Sequence, residues 1–172
     1  MRTLHNIDLK NNESGFTLRW QDRLILSHTA DAPCLWIGAG EADIEMFRGN
    51  FSIKDKLNEK IALTDATVTQ QSAGWAIRFT RGDAVSATLL VGVDGEGRLE
   101  MKLKNDATRH NRIWLRLAAQ PEDHIYGCGE QFSYFDLRGK PFPLWTSEQG
   151  VGRNKQTYVT WQADCKENAG GD

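Results

Sequence analysis

The sequence predicts an all-β protein, a twisted antiparallel β-sandwich, on the strength of three observations. Apolar and polar residues alternate in many short runs, the longest of which spans 85–93. Turn-forming residues separate these runs, and no long stretch keeps the 3.6-residue period of an amphipathic helix. Because alternation places one set of side chains on one face of a strand, a succession of such runs favours two packed antiparallel sheets.

Each alternating run predicts one strand. The runs are 16–20, 24–26, 75–79, 85–93, 99–103, 113–117 and 158–161. Turn chemistry lies between them at 11–15, 72–74, 81–83, 94–97 and 105–106. The stretch Asp94-Gly95-Glu96-Gly97, between two alternating runs, indicates a β-hairpin. We expect the core to include Trp20, Trp75, Leu89, Leu103 and Leu115.

The segment from Ala42 to Lys60 does not alternate cleanly. Its apolar residues stand among charged ones and are Ile44, Phe47, Phe51, Ile53 and Leu57. We interpret the segment as a long connection with one helical turn, docked onto the protein by these apolar side chains.

Composition narrows the classes of function. The chain has 172 residues, a net charge of −2 and interspersed acidic and basic residues, so it has no basic face for nucleic acid or an anionic membrane. It has neither an apolar signal segment at its N-terminus nor a run of 18 apolar residues, which predicts a cytoplasmic protein. The length predicts a single domain spanning 1–172.

The potential metal ligands are too scattered to predict a site. Cys34, Cys128 and Cys165 form no C-x-x-C pair, and the four histidines have no ligand spacing. We therefore predict no metal and no cofactor, with the cysteines as packed free thiols.

Residues able to recognise a carbohydrate crowd into the last third of the chain, where glycines, acids, amides, Arg and Trp occur together. Trp145 could stack on a sugar ring, Glu148 and Gln149 could bind hydroxyl groups, and Arg153 could pair with an acid or an anionic group of the substrate. Gly150 and Gly152 would allow a close approach of the backbone.

Three acids of this stretch, Glu130, Asp136 and Glu148, could supply a carboxylate pair. Two carboxylates about 5–5.5 Å apart suit a retaining glycosidase. The alternative, which we favour, is that Glu130 and Asp136 hold the loop backbone or pair with Arg138 and Arg153.

Six tryptophans raise the carbohydrate hypothesis further. Trp20 and Trp75 are in phase with aliphatic neighbours, which predicts core positions. Trp114 and Trp145 are out of phase or in a loop, so they are candidates for docking or for binding a ligand.

The run Tyr126-Gly127-Cys128-Gly129-Glu130, followed by Leu137-Arg138-Gly139 and Leu144-Trp145, resembles the N-terminal domain motif of glycoside hydrolase family 31. Flanking runs at 34–38, 47–57 and 150–156 extend the resemblance over essentially the whole chain. They resemble most the members that cleave α-sulfoquinovosides, the α-glycosides of 6-sulfo-quinovose.

The resemblance implies a β-sandwich of the galactose-mutarotase type followed by a (β/α)₈ barrel. It implies double displacement with retention, two catalytic aspartates on barrel loops, and a sulfonate pocket mainly on the barrel. No residue of this chain inherits those roles. What remains for it is a loop that walls the substrate cleft, with the candidate substrate-binding residues Glu130, Gln131, Trp145, Glu148, Gln149 and Arg153.

Two functions follow. In the first, the chain is the N-terminal portion of a retaining α-glycosidase acting on α-sulfoquinovosides, truncated before the catalytic barrel, its partner, and inactive alone. In the second, it is a stand-alone carbohydrate-binding β-sandwich without enzymatic activity. The polar end at 166–172 offers no closing strand, which favours an incomplete sandwich and the first function.

Overall fold

A computed structural model of the chain consists of strands and their connections. It describes residues 7–12, 14–47, 50–82, 85–105, 109–127 and 134–140, with the backbone alone at 46, 47 and 50–53. Within these ranges there are ten strands and no helix, and hence no helix able to span a membrane. The run 158–161, predicted as a strand, lies outside the described residues.

The strands follow one another along the chain with short connections. They are β1 (Ile7–Asn12), β2 (Gly15–Trp20), β3 (Arg23–Thr29), β4 (Leu35–Phe47), β5 (Asn50–Ala62), β6 (Asp65–Gln71), β7 (Gly74–Arg81), β8 (Val85–Val93), β9 (Leu99–Asn105) and β10 (Arg112–Leu115).

The strands pair in three sheets, with the orders β1-β2-β3, β10-β4-β5 and β6-β7-β8-β9. Every pair whose register the described residues define is antiparallel. The predicted all-β class and antiparallel sandwich are confirmed.

The chain divides into two compact units. The first, which we call the sandwich unit, comprises Met1–Glu41 and Lys56–Ala119. The second, the loop unit, comprises Ala42–Asp55 and Gln120–Asp172.

The core of the sandwich unit draws on all three sheets. Its buried apolar members are Ile7, Phe16, Leu18, Leu26, Cys34, Leu35, Ile37, Leu63, Ile77, Phe79, Val85, Ala87, Leu89 and Val91. Of the residues predicted to be in the core, Leu89 is fully buried, while Trp20, Trp75, Leu103 and Leu115 are half-buried and pack against the cluster. Burial of this apolar surface is the main term that favours folding.

The register shows how the alternating pattern builds this core. Ile77 of β7 lies opposite Leu89 of β8, which lies opposite Leu103 of β9. Directly opposed residues of antiparallel strands share a face, so every second residue of each strand joins one layer. The polar members Lys102 and Lys104 of β9 are correspondingly exposed.

The prediction for 42–60 was wrong. The segment is part of two paired strands of 13 residues each, β4 and β5, and contains no helical turn in its described part. Ile44 and Leu57 are 57% and 45% exposed, so they do not dock as expected, and the side chains at 47, 51 and 53 are outside the described set.

The physical reason is the exposure of this part of the hairpin. Residues 41–45 and 54–58 are all exposed. Period-2 alternation marks a strand only where one of its faces is buried, whereas backbone hydrogen bonds between paired strands need no such pattern. A strand exposed on both faces therefore leaves no alternation in its sequence.

The hairpin predicted at 94–97 is confirmed between β8 and β9. The Asp94 Oδ1 accepts the backbone N–H groups of Glu96 and Arg98 at 2.9 Å each, and its Oδ2 accepts Arg98 Nε at 2.8 Å. These bonds, that to the Arg98 N–H foremost, lower the pKa of Asp94 to about 2. Gly97 adopts a φ of 86°, which favours glycine at this corner.

The polar side chain of His28 is buried among the core residues. The Cys34 N–H donates to Nδ1 at 3.3 Å, so Nδ1 carries no proton, and Nε2 donates to the Thr64 carbonyl at 3.1 Å. The ring stacks on Phe16 at 5.4 Å and meets Phe79 edge-on at 5.2 Å. Burial lowers the pKa of His28, opposed by the bond to Thr64 and the charge of Asp65.

The thiol of Cys34, next to His28, is chemically inert. Cys34 is fully buried, and burial raises its pKa to about 11. A thiol of this kind is not a nucleophile at neutral pH. The expectation that Cys34 is a packed free thiol is confirmed.

Truncation of Leu89 tests the core. Leu89→Ala should lower the free energy of unfolding by about 2–5 kcal/mol, because it leaves a cavity where a fully buried side chain was. Urea unfolding followed by circular dichroism measures this. Thr88→Ala, at the next position of the same strand, is the matched control and should cost less. Equal losses in the two variants would contradict the assignment of the buried face.

Acid should destabilise the protein through His28. Its pKa lies below the ordinary value of 6.5 in the folded protein, so the unfolded chain binds the proton more readily. The stability that neutral His28 contributes is fully present above about pH 6.5. It is lost as pH falls toward the pKa of His28 in the folded protein. Urea unfolding at pH 7.5, 6.5 and 5.5 should show this fall, and His28→Gln should flatten it. A free energy of unfolding of the wild type that stays constant or increases as pH falls from 7.5 to 5.5 would refute the assignment.

Candidate functional site

The residues predicted to bind substrate lie outside the described part of the chain. They are Glu130, Gln131, Trp145, Glu148, Gln149 and Arg153. Their proposed roles therefore stay predictions. What the structure does describe is the framework on both sides of the first pair, residues 120–127 and 134–140 of the loop unit.

This framework is organised around one carboxylate, Asp136. Its Oδ1 accepts the backbone N–H groups of Ile125 at 3.1 Å and of Arg138 at 3.0 Å, and its Oδ2 lies 2.6 Å from His124 Nδ1. Leu137 N–H donates to the Ile125 carbonyl at 2.8 Å and continues the same connection. Asp136 thus ties the segment before Tyr126 to the segment that follows the Y-G-C-G-E-Q run.

These hydrogen bonds change the pKa of Asp136. The hydrogen bond from His124, then those from the Arg138 and Ile125 amides, lower the pKa of Asp136 to about 2. A general acid in glycoside hydrolysis needs a raised pKa, whereas that of Asp136 is lowered. Each of its oxygens accepts hydrogen bonds from neighbouring groups of the framework, which gives the carboxylate a structural role here.

This result bears on the roles expected for Asp136 and Arg138. The alternative that Asp136 holds loop backbone is confirmed by its bonds to the two amides. Arg138 contributes in the same way, since its Nη1 donates to the Asp123 carbonyl at 2.9 Å and to the Gln120 carbonyl. The same question for Glu130 and Arg153 lies outside the described residues.

An aromatic surface accompanies this framework. Tyr126 packs against His124 at 6.0 Å between ring centroids and against Phe135 at 5.1 Å. Phe135 is 87% exposed and Tyr126 57% exposed. Lys140 Nζ lies 4.9 Å from the centroid of the Tyr134 ring. Exposed aromatic side chains next to the signature run give it an apolar flank that suits a sugar ring or a protein surface.

Sequence reasoning missed the part played by His124. Twelve residues separate it from Asp136, and no local pattern links the two. Among the described residues, the structure brings no three His, Cys, Asp or Glu side chains into an arrangement that could hold a metal ion.

Trp114, a candidate for docking or for binding a ligand, lies on β10 of the sandwich unit. It is half-buried and lies directly opposite Trp36 of β4. No local pattern pairs these two residues, because the register of β10 against β4 joins positions almost eighty residues apart.

Comparison with known proteins gives a consistent family. Residues 9–161 match the model of the glycosyl hydrolase 31 N-terminal galactose mutarotase-like domain. The sulfoquinovosidase of Escherichia coli K12 is 77% identical over 169 residues, which is 98% of this chain and 25% of that protein. The sulfoquinovosidase of Agrobacterium fabrum C58 is 42% identical over 163 residues, 95% of this chain and 24% of that protein.

A solved structure agrees with the sequence relatives. It is a family 31 sulfoquinovosidase from E. rectale in complex with the aza-sugar inhibitor IFGSQ. The TM-score is 0.69 at 40% identity, over 96% of this chain and 24% of that one. The chain spans about a quarter of the length of these relatives. It belongs to glycoside hydrolase family 31, in which it corresponds to the N-terminal galactose mutarotase-like domain.

Proposed function

We propose that this chain is the N-terminal β-sandwich portion of a retaining α-glycosidase that hydrolyses α-sulfoquinovosides. In this proposal it supplies a loop to the substrate cleft and no catalytic residue. The observation that carries the proposal is the 77% identity to a sulfoquinovosidase over 98% of the chain. Substrate class is expected to be shared at this level of identity, although the match covers only a quarter of that protein.

The hydrogen bonds of the described residues favour a non-catalytic role for this chain. Retaining hydrolysis needs a nucleophile and an acid/base carboxyl about 5–5.5 Å apart. Asp136, the described acid of the candidate run, is held by two backbone amides and His124. We expect both catalytic aspartates on the barrel, as the resemblance to the family implies.

The framework around Asp136 suits the task of presenting a loop. A binding residue must be held close to its productive position if it is to contribute to recognition. Asp136 and Arg138 fasten both sides of the run that contains Glu130 and Gln131 through bonds to backbone groups. We infer that this fastening orients Glu130 and Gln131 toward the cleft.

The other candidates take roles that their chemistry allows. Trp145 would stack on the sugar, Glu148 and Gln149 would bind hydroxyl groups, and Arg153 would pair with an acid or an anionic group of the substrate. The cytoplasm remains the proposed compartment.

The 172-residue chain by itself should not hydrolyse aryl α-sulfoquinovosides, because no pair of catalytic carboxyls is expected within it. The measurement is release of the aryl leaving group by the purified chain. Turnover that Glu130→Gln or Glu148→Gln abolishes would show that the loop carboxylates are catalytic and would overturn the proposal.

The loop should contribute to substrate binding when the barrel is present. A chimera in which this chain replaces the matching segment of E. coli sulfoquinovosidase is the appropriate enzyme. In it, Glu148→Ala, Gln149→Ala and Arg153→Ala should each raise KM about tenfold and leave kcat nearly unchanged, since a contact made equally in the ground and transition states affects KM alone.

The control for these variants is Lys104→Ala, at an exposed position of β9 in the sandwich unit. It should leave both parameters unchanged. If all three loop variants keep the wild-type kcat/KM with normal thermal stability, the loop has no part in recognition.

A further inference from the structure

The outer face of the β10-β4-β5 sheet carries a pair of tryptophans. Trp36 and Trp114 are direct antiparallel partners, so their indoles emerge on the same side of the sheet. Leu35 and Ile37, the neighbours of Trp36 on β4, are fully buried on the other side. The two half-buried indoles therefore lie on the face turned away from the core.

Two cations are arranged on these rings. Lys60 Nζ lies 4.6 Å from the centroid of the Trp114 ring and 5.6 Å from that of Trp36. The Arg116 guanidinium carbon lies 5.4 Å from the Trp36 ring. Cation–π attraction holds each cation at its ring, so two positive charges and two aromatic rings form one surface within the sandwich unit.

The aromatic part of this surface is fixed by the sheet beneath it. A Cβ atom on Gly38 would come within 2.9 Å of the Trp114 ring and 2.2 Å of the Glu59 carbonyl oxygen. The indole thus lies directly against the backbone of β4. Arg116 is fixed as well, because its Nη2 donates to the carbonyls of Pro33 at 3.0 Å and Ala32 at 3.2 Å.

The charges of this surface are not neutralised within the described structure. Neither Lys60 nor Arg116 lies within 4.0 Å of a carboxylate of the described residues, whereas other cations such as Lys102 and Arg98 do. The ammonium of Lys60 has three N–H donors, and contact with ring faces uses none of them in a conventional hydrogen bond. Those donors remain available to an anion.

We propose that Trp36, Lys60, Trp114 and Arg116 form a binding site for an anionic saccharide. The exposed parts of the indoles that Lys60 and Arg116 leave uncovered offer apolar surface for the C–H face of a sugar ring. Lys60 offers a charge-assisted hydrogen bond to a sulfonate or carboxylate. The site consists of sandwich-unit residues only and includes none of the loop residues assigned to the substrate cleft. It would add a second point of contact with anionic carbohydrate.

The simpler use of this arrangement is a clamp that holds β10 onto β4. Both uses predict that removing Trp114 weakens the sheet, so Trp114→Ala does not separate them. Removing the charge of Lys60 does, because Lys60→Met keeps the apolar stem against the rings and eliminates the anion partner.

The test is a titration of the 172-residue chain with sulfoquinovose and, separately, with glucose. Indole N–H signals in heteronuclear NMR spectra report on each tryptophan individually. Sulfoquinovose should shift the Trp36 and Trp114 signals in a saturable manner, and the dissociation constant should rise with added salt. Glucose should cause no saturable shift at the same concentrations.

Lys60→Met should raise the dissociation constant for sulfoquinovose at least tenfold. Lys104→Met, at an exposed position of a different sheet, is the matched control and should bind as the wild type does. Absence of saturable shifts in the wild type, equal shifts with glucose, or wild-type affinity in Lys60→Met would each overturn the site. The comparison of the two sugars needs only the wild-type chain, so the test holds even if Lys60→Met does not fold. Because no barrel is involved, the result is separate from that of the loop variants in the chimera.

Discussion

The sandwich unit depends on the buried imidazole of His28. His28 extends from β3, accepts the amide of Cys34 just before β4, and donates to the carbonyl of Thr64 between β5 and β6. Its ring also stacks on Phe16 and touches Phe79, residues of two further strands. One acceptor and one donor are available only in the neutral ring. A buried polar group is tolerated when its bonding capacity is satisfied, and here that condition joins segments of all three sheets.

A second arrangement, centred on the carboxylate of Asp136, organises the described segments of the loop unit. Asp136 collects two backbone amides and one imidazole, and Arg138 collects two backbone carbonyls. Irregular segments have no ladder of their own, so side chains must satisfy their backbone groups. Asp136 is structural, and the segment that it fastens carries the residues proposed to meet substrate.

The structural role of Asp136 agrees with membership of glycoside hydrolase family 31. The chain corresponds to the N-terminal galactose mutarotase-like domain of the family, and the sulfoquinovosidases it matches are about four times as long. Hydrogen bonds lower the pKa of both Asp94 and Asp136 to about 2, so neither carboxyl is poised as a general acid at neutral pH. The contribution that we propose for this chain is recognition, through loop side chains and aromatic surfaces.

The sequence by itself determined the fold class, the family and most of the strands. Alternation predicted β2, β3, β7, β8, β9 and β10 because each has one face against the core, and burial imposes a period of two. It failed for β4 and β5 because residues 41–45 and 54–58 are exposed on both faces. The structural role of Asp136 was one of two alternatives that the sequence left open.

Only the tertiary structure decided which distant residues meet. His124 with Asp136, Trp36 with Trp114, and His28 with Thr64 are pairs that no local spacing indicates. Strand register and chain reversal set these contacts. Both depend on how distant segments of the backbone pair, which a pattern along the sequence does not contain. Composition can state that aromatic, cationic and acidic side chains are present, whereas their chemistry depends on the neighbours that the sheets bring to them.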